Sequence, residues 1–215
     1  MIDYEVIVNN LGSSVLSDVL DGLKLQCQAM SSKIRPIQDD MVIVGRAQTM
    51  LMTDQYDPEK DTFSLQFQAI DSLRDGEVMM VCSNGSVRAA LWGELLSTAA
   101  IHRGARGAVV DGMVRDVGLI RKLKFPVFAG GVMPVSSKGR VYAVDYGCPV
   151  MMGGVMVYPG DLVVADLDGI VVVPERIAEK AVEKALEVVS LEKNTREELR
   201  NGAGLYDVYK KYGAV

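Results

Sequence analysis

The segment GELLSTAAIHRGARGAVVDGMVRDVGLIRKLKFPVFA, residues 93–129, decides the class of fold. Residues 93–103 read as a helix. Residues 107–111 (GAVVD) form a short valine-rich run that reads as a buried strand. Residues 116–124 (DVGLIRKLK) read as a second short helix and residues 126–129 (PVFA) as the next strand. Alternation of this kind makes βαβ units, which put strands in parallel and send helices across the sheet. The chain is therefore expected to be an α/β protein.

Upstream of this segment, residues 77–82 (EVMMVC) read as a short buried strand and residues 41–52 (MVIVGRAQTMLM) as a longer one. Asp57-Pro58 predicts a helix start, with Asp57 as N-cap and Pro58 at the first helical position. Phe63, Phe67, Ile70 and Leu73 then form an apolar stripe that ends at Gly76. Residues 11–23 read as a helix capped by Ser13 or Ser14. From residue 141 to 173, short strands separated by Gly, Pro and Asp predict a β-meander, with Asp168-Gly169 as a hairpin turn. Residues 175–200 form a long helix whose apolar face (Ala178, Ala181, Val182, Ala185, Leu186, Val189) is narrow and made mostly of small residues. So little apolar surface is expected to leave this helix, and the tyrosine-bearing tail 201–215, packing on a neighbouring subunit. No linker or repeat interrupts the chain, so residues 1–215 read as a single domain with a projecting C-terminal helix.

Composition excludes several functions. Of 215 residues 49% are apolar, enough for one sizeable core. With 23 Lys and Arg against 28 Asp and Glu the net charge is −5, which argues against nucleic acid as a partner. Cys27, Cys82 and Cys148 are far apart and odd in number, so neither a disulfide framework nor a cysteine metal site is expected. No run is long and apolar enough to span a membrane, and the start of the chain lacks the pattern of a signal peptide. A soluble, cytoplasmic protein is expected. The 12 methionines read as core filling, and the single histidine, His102, as a residue in the last turn of its helix.

The chain has no G-x-G-x-x-G after a strand, no Walker sequence, no H-E-x-x-H and no G-x-S-x-G. In open α/β layers, ligands collect beyond the carboxyl ends of parallel strands, near helix N-termini. Gly93-Glu94-Leu95-Leu96 opens one helix and Arg115-Asp116 opens the next, so Glu94, Arg115 and Asp116 can share a rim. Two carboxylates suit Mg²⁺ or Mn²⁺, and an arginine fits a carboxylate ligand. The free amides of Leu95 and Leu96 would add anion donors. On spacing alone a plainer reading is the more economical: the acids complement helix dipoles and Arg115 pairs with Asp116. The turn 134–140 (PVSSKGR) has hydroxyls, Lys138 and Arg140 that suit an anion, but the pattern is weak and a polar surface turn is the more common explanation. Asp166-x-Asp168-Gly169 reads as a turn rather than a calcium loop.

An acidic residue, twenty residues, then Arg-Asp is the spacing of Glu94 and Arg115-Asp116, set within ALWGELLSTAAIHRGARGAVVDGMVRDV. Together with SSVLSDVLDG, VGRAQTM, PVFAGGVMPVSSKGR and YPGDLVVADLDGIVVVP, this pattern resembles the RraA-like superfamily. Within it, the chain is most similar to the class II 4-hydroxy-4-methyl-2-oxoglutarate/4-carboxy-4-hydroxy-2-oxoadipate aldolases. The resemblance covers nearly the whole chain. It implies a swivelling β/β/α fold, assembled as a homotrimer or homohexamer with sites between subunits. It also implies that Asp116 ligates Mg²⁺ or Mn²⁺ directly and that Glu94 holds the metal through water. Arg115 would grip pyruvate, whose carboxylate would meet the amides around Gly93, Leu95 and Leu96. Glu192, or alternatively Glu197, would reach the neighbouring subunit's metal through water.

The activity implied is a metal-dependent retro-aldol cleavage of a 4-hydroxy-2-oxo diacid to pyruvate, with oxaloacetate decarboxylation alongside it. The superfamily also holds non-catalytic regulators that bind ribonuclease E, which is the alternative. Such regulators tend to lack the upstream acid that Glu94 supplies here. Some members carry a menaquinone methyltransferase label, but no glycine-rich loop for an adenosyl cofactor is present in this chain.

Overall fold

A computed structural model describes residues 2–57 and 59–213. Its sheet is organised by β2 (Ile43–Asp54), twelve residues of which most are buried, as a strand covered on both faces requires. The first half of β2 pairs in parallel with β3 (Glu77–Cys82) and antiparallel with β10 (Leu162–Ala165). Its second half, from Met50 onward and across an irregularity at Leu51/Met52, pairs antiparallel with β7 (Val141–Tyr146). β5 (Gly107–Val114) and β6 (Val127–Val132) continue the sheet in parallel beyond β3, the arrangement predicted from residues 93–129. The order is β1-β6-β5-β3-β2-β10-β11, with β1 (Arg35–Pro36) and β11 (Ile170–Val173) at the ends. A short strand, β4 (Ala90–Trp92), runs parallel to the far end of β5.

The meander predicted for residues 141–173 is corrected to three separate pieces. β7 leaves to pair with β2, β8 (Val150–Met152) and β9 (Val155–Val157) make their own hairpin, and β10 inserts between β2 and β11. Local turn signals identify hairpins but do not say which distant strand receives each one. The Asp168-Gly169 turn joins β10 to β11 as expected, and Asp166 Oδ1 accepts from both of those amides.

The helices divide into two groups. α3 (Ser64–Asp71), α4 (Glu94–His102) and α5 (Val117–Leu123) pack beside the parallel strands over the larger core, which holds Trp92, Phe128, Met79 and Met80. α1 (Tyr4–Asn10), α2 (Ser13–Gly22) and α6 (Ala178–Arg200) enclose a second core with Leu16, Leu20, Val164 and Val173. The helix read over 11–23 is α2, but neither Ser13 nor Ser14 caps it. Asp166, far away in sequence, accepts from the Ser13 amide and hydroxyl, both at 2.7 Å, and supplies the anion that an N-terminus favours.

The helix start at Asp57-Pro58 is also corrected. Pro58 lies outside the described residues, and Asp57 Oδ1 accepts from the Glu59 amide within a loop. α3 begins only at Ser64, where Asp61 accepts from the amides of Phe63 and Ser64. At the other end of the chain, a 3₁₀ turn (Glu175–Ile177) leads into α6, which buries its small-residue face at Ala178, Ala181, Val182 and Ala185. The tail forms α7 (Leu205–Tyr212), which folds back on α6 through Val208 and a Glu198 contact to Lys211 and Tyr212. The tail's first partner is thus its own helix, while Tyr206 and Tyr209 stay exposed.

Candidate active site

Two parallel strands set the site. Trp92 of β4 lies opposite Val114 of β5, and the Arg115 amide donates to the Trp92 carbonyl at 2.9 Å. The residues that follow each strand, Gly93-Glu94 and Arg115-Asp116, therefore come side by side at the starts of α4 and α5. Trp92 is fixed from behind by its indole N–H, which donates to Ser97 Oγ at 2.8 Å. The Gln66 amide group donates to the Leu91 carbonyl at 2.9 Å and steadies the same strand from α3.

Asp116 adopts a left-handed backbone, φ 58° and ψ 27°, as the N-cap of α5. For a residue with a Cβ this conformation costs about 1–2 kcal/mol, and such positions cluster where geometry serves function. The Asp116 carboxylate receives the Glu94 amide at 3.4 Å and lies 3.4 Å from Arg115 Nε. Both side chains are well over a third exposed, at 40% for Arg115 and 38% for Asp116. They open into a cleft of about 190 Å³ whose apolar wall includes Phe63, Phe67 and Leu95 and whose polar edge includes Ser136 and Ser137. The rings of Phe63 and Phe67 stack with centroids 5.4 Å apart.

Of the residues singled out from sequence, Gly93, Leu95, Leu96, Arg115 and Asp116 all line this cleft. The amides of the first turn of α4, including those of Leu95 and Leu96, have no acceptor within the helix by geometry. Glu94 contributes its backbone amide, whereas its carboxylate accepts from Thr98 Oγ1 at 2.8 Å along its own helix. Glu192 stands on the outer half of α6, 3.3 Å from Arg196, and is not among the residues of this chain's cleft. Glu197 lines a groove on α6 with Lys193 and Arg200. His102 is exposed in the last turn of α4.

Phe63 and Phe67 are spaced as part of an apolar stripe, yet both line the cleft and Phe67 is 49% exposed. Their position before and within the first turn of a helix that starts late is what turns them to the cleft.

Among the described residues no cluster of three or more His, Cys, Asp or Glu is present. A cage made wholly of protein ligands is therefore not what this chain offers. An exposed Asp116, with a second carboxylate at Glu94 on the adjacent helix start, does suit Mg²⁺ or Mn²⁺. Such ions keep several waters and take one or two carboxylates together with substrate oxygens.

The profile of the RraA-like family, described as Aldolase/RraA, matches residues 13–172. The chain belongs to the RraA-like family. Protein DlpA of Legionella pneumophila is 32% identical over 94% of the chain, which spans about a third (32%) of that protein's length. A protein of Halalkalibacterium halodurans, provisionally named 4-hydroxy-4-methyl-2-oxoglutarate aldolase, is 30% identical over 86% of the chain and 82% of its own length. Among solved structures, Streptomyces coelicolor RraAS2, described as an unusual member of the RNase ES inhibitor RraA protein family, superposes with a TM-score of 0.80. It is 29% identical and matches over 91% of this chain and 97% of that one. The α/β fold is the RraA-like fold that the sequence implies.

Proposed function

We propose that the chain is a divalent-metal-dependent carbon–carbon lyase. It would cleave a 4-hydroxy-2-oxo diacid of the 4-hydroxy-4-methyl-2-oxoglutarate type to pyruvate and decarboxylate oxaloacetate through the same enolate. The observation that carries this reading is Asp116, held in a left-handed conformation beside Arg115 at the mouth of a cleft. A surface ion pair needs no such backbone. Mg²⁺ or Mn²⁺, held by Asp116 directly and by Glu94 through water, would supply Lewis acidity to the 2-oxo acid end of the substrate.

The chain's own residues supply the rest. The first-turn amides of α4 at Leu95 and Leu96 bind the substrate carboxylate. The Arg115 guanidinium orients the 2-oxo acid and places a fixed positive charge where the enolate oxygen develops. The wall of Phe63, Phe67 and Leu95 keeps water from the breaking bond and lowers the local dielectric. The likeness to RraAS2 supports a second reading, a ring that binds a ribonuclease. An exposed Arg-Asp pair set in a concave cleft favours a small anionic ligand over a broad protein contact. Pyruvate release from oxaloacetate by purified protein, measured with Mg²⁺ or Mn²⁺ and again with EDTA, separates the two. Release that EDTA abolishes is expected, and its absence under all conditions favours the binding ring.

A further inference from the structure

The turn 134–140, which reads from sequence as a polar surface turn more readily than as an anion site, is braced from beneath. Gln55, only 2% exposed, directs its side-chain N–H groups to the carbonyls of Asp57 (2.7 Å) and Lys60 (2.8 Å). Its side-chain carbonyl accepts the Thr62 hydroxyl at 3.1 Å, and its backbone amide donates to the Arg140 carbonyl at 2.7 Å. Thr62 Oγ1 in turn accepts from the Gly139 amide at 3.1 Å. One buried amide side chain, with both its donors and its acceptor engaged, therefore ties Asp57, Lys60 and Thr62 together, and Thr62 and the Gln55 backbone hold them against the turn 136–140. Arg140 is consumed inside the turn, donating to the carbonyls of Ser136 and Lys138.

This bracing forms a recess of about 350 Å³ with Lys60 and Lys138 in its lining, together with Asp61, Thr62, Phe63 and Gly139. The Asp61 carboxylate is turned to the start of α3, where the amides of Phe63 and Ser64 hold its pKa below the usual carboxylate range. Lys60 Nζ lies 3.8 Å from the centroid of the Tyr142 ring, which holds the ammonium in place without neutralising it. Among the described residues, no ion pair is made by Lys138. Recess and cleft are neighbours. Phe63 lines both, and Ser136-Ser137 of the cleft run directly into Lys138-Gly139 of the recess.

We propose that Lys60 and Lys138 form a subsite for a second carboxylate, receiving the distal end of a 2-oxo diacid whose 2-oxo acid end lies at Arg115 and Asp116. Gln55 is the positioning residue of that subsite. The inference rests on the function proposed above and deepens it: selectivity for diacids over monoacids resides in residues outside the Arg115-Asp116 pair.

Calorimetric titration with two non-cleavable five-carbon ligands, in the presence of Mg²⁺, tests it. 2-Oxoglutarate carries the distal carboxylate and 2-oxopentanoate has a methyl group there. The wild type is expected to bind 2-oxoglutarate about tenfold more tightly, the scale of one hydrogen-bonded contact to a charged group. In Lys60→Gln/Lys138→Gln that preference is expected to vanish, with 2-oxopentanoate as the internal reference. Both lysines are exposed, so the variant should fold as the wild type does. Equal affinity of the wild type for the two ligands, or a preference that survives in the double variant, overturns the subsite alone. Binding of neither ligand overturns the 2-oxo acid reading and the subsite with it.

Discussion

A Cβ on Gly93 would lie 2.8 Å from the carboxylate of Asp116 and 3.2 Å from Arg115 Cγ. The backbone at Gly93 is extended, φ −162°, which any residue can adopt, so glycine is needed there for space and not for conformation. The parallel pairing of β4 with β5 is what presses the two strand ends together. Gly93→Ala should keep the fold, because the atoms it meets belong to two partly exposed side chains, and not to backbone, and these can swing away. Swinging away is what activity cannot tolerate. Displacement of about 1 Å in a catalytic group costs on the order of 100-fold. Steady-state kinetics beside a thermal melt checks this, and full activity in Gly93→Ala would show that the placement of Asp116 is immaterial.

Arg115→Lys keeps the charge and discards the planar fork that can hold a carboxylate and an enolate oxygen together. Loss of one oxyanion donor typically costs about 3–4 kcal/mol, so kcat should fall by two orders of magnitude or more. Affinity for Mg²⁺ or Mn²⁺ should change far less. Near-normal kcat would mean that Arg115 serves only as the ion-pair partner of Asp116.

How much of this was legible in the sequence differs from element to element. The strand at 107–111 and the helices on either side announce themselves through valine runs and glycine boundaries, and the expectation of a shared rim at Glu94, Arg115 and Asp116 follows from them. The left-handed turn at Asp116 left no trace in the sequence, because aspartate enters such turns without needing glycine as a neighbour. The late start of α3 was hidden too. Asp57-Pro58 has the right local chemistry, but the buried Gln55 claims the carbonyls of Asp57 and Lys60, which a helix starting there would need for its own ladder. The capping of α2 by Asp166 and the pairing of β7 with β2 are long-range choices that no window of residues displays.

The α6–α7 contact should depend on pH and salt. Hydrogen bonds from Lys211 and then Tyr212 hold the Glu198 carboxyl below its ordinary pKa of 4.5. The same contact with Glu198, then Tyr212, holds Lys211 above its ordinary value of 10.5. The contribution of Glu198 is thus fully present above 4.5 and lost as pH falls through its lowered value. That of Lys211 is fully present below 10.5 and lost as pH rises through its raised value. Amide exchange in α7, corrected for intrinsic rates, should show protection that is greatest around neutral pH and falls in acid. Because Lys211 is exposed and Glu198 only half-buried, high salt should weaken it as well. Protection unchanged from neutral to acid pH would mean that Val208 alone docks α7.

The outer half of α6 and the exposed rings of Tyr206 and Tyr209 are proposed to pack on a second copy of the chain, in a trimer or a pair of trimers. In that assembly Glu192 would approach the neighbour's Asp116. Glu192→Gln should then lower activity while leaving the assembly intact, since among the described residues its ion-pair partner is the exposed Arg196. Light scattering combined with assay of the same fractions checks both points. A fully active species at the 23.3 kDa monomer mass contradicts them.

Asp116→Gly is the sharpest test of the proposed lyase. Glycine adopts φ 58° without the steric cost an aspartate bears, so the variant should fold at least as stably as the wild type. Pyruvate formation from 4-hydroxy-4-methyl-2-oxoglutarate, with Mg²⁺ or Mn²⁺ present, should fall to background in a protein whose melting temperature is unchanged or raised. Metal-dependent turnover retained in Asp116→Gly would contradict the assignment of this residue, and with it the lyase reading of the cleft.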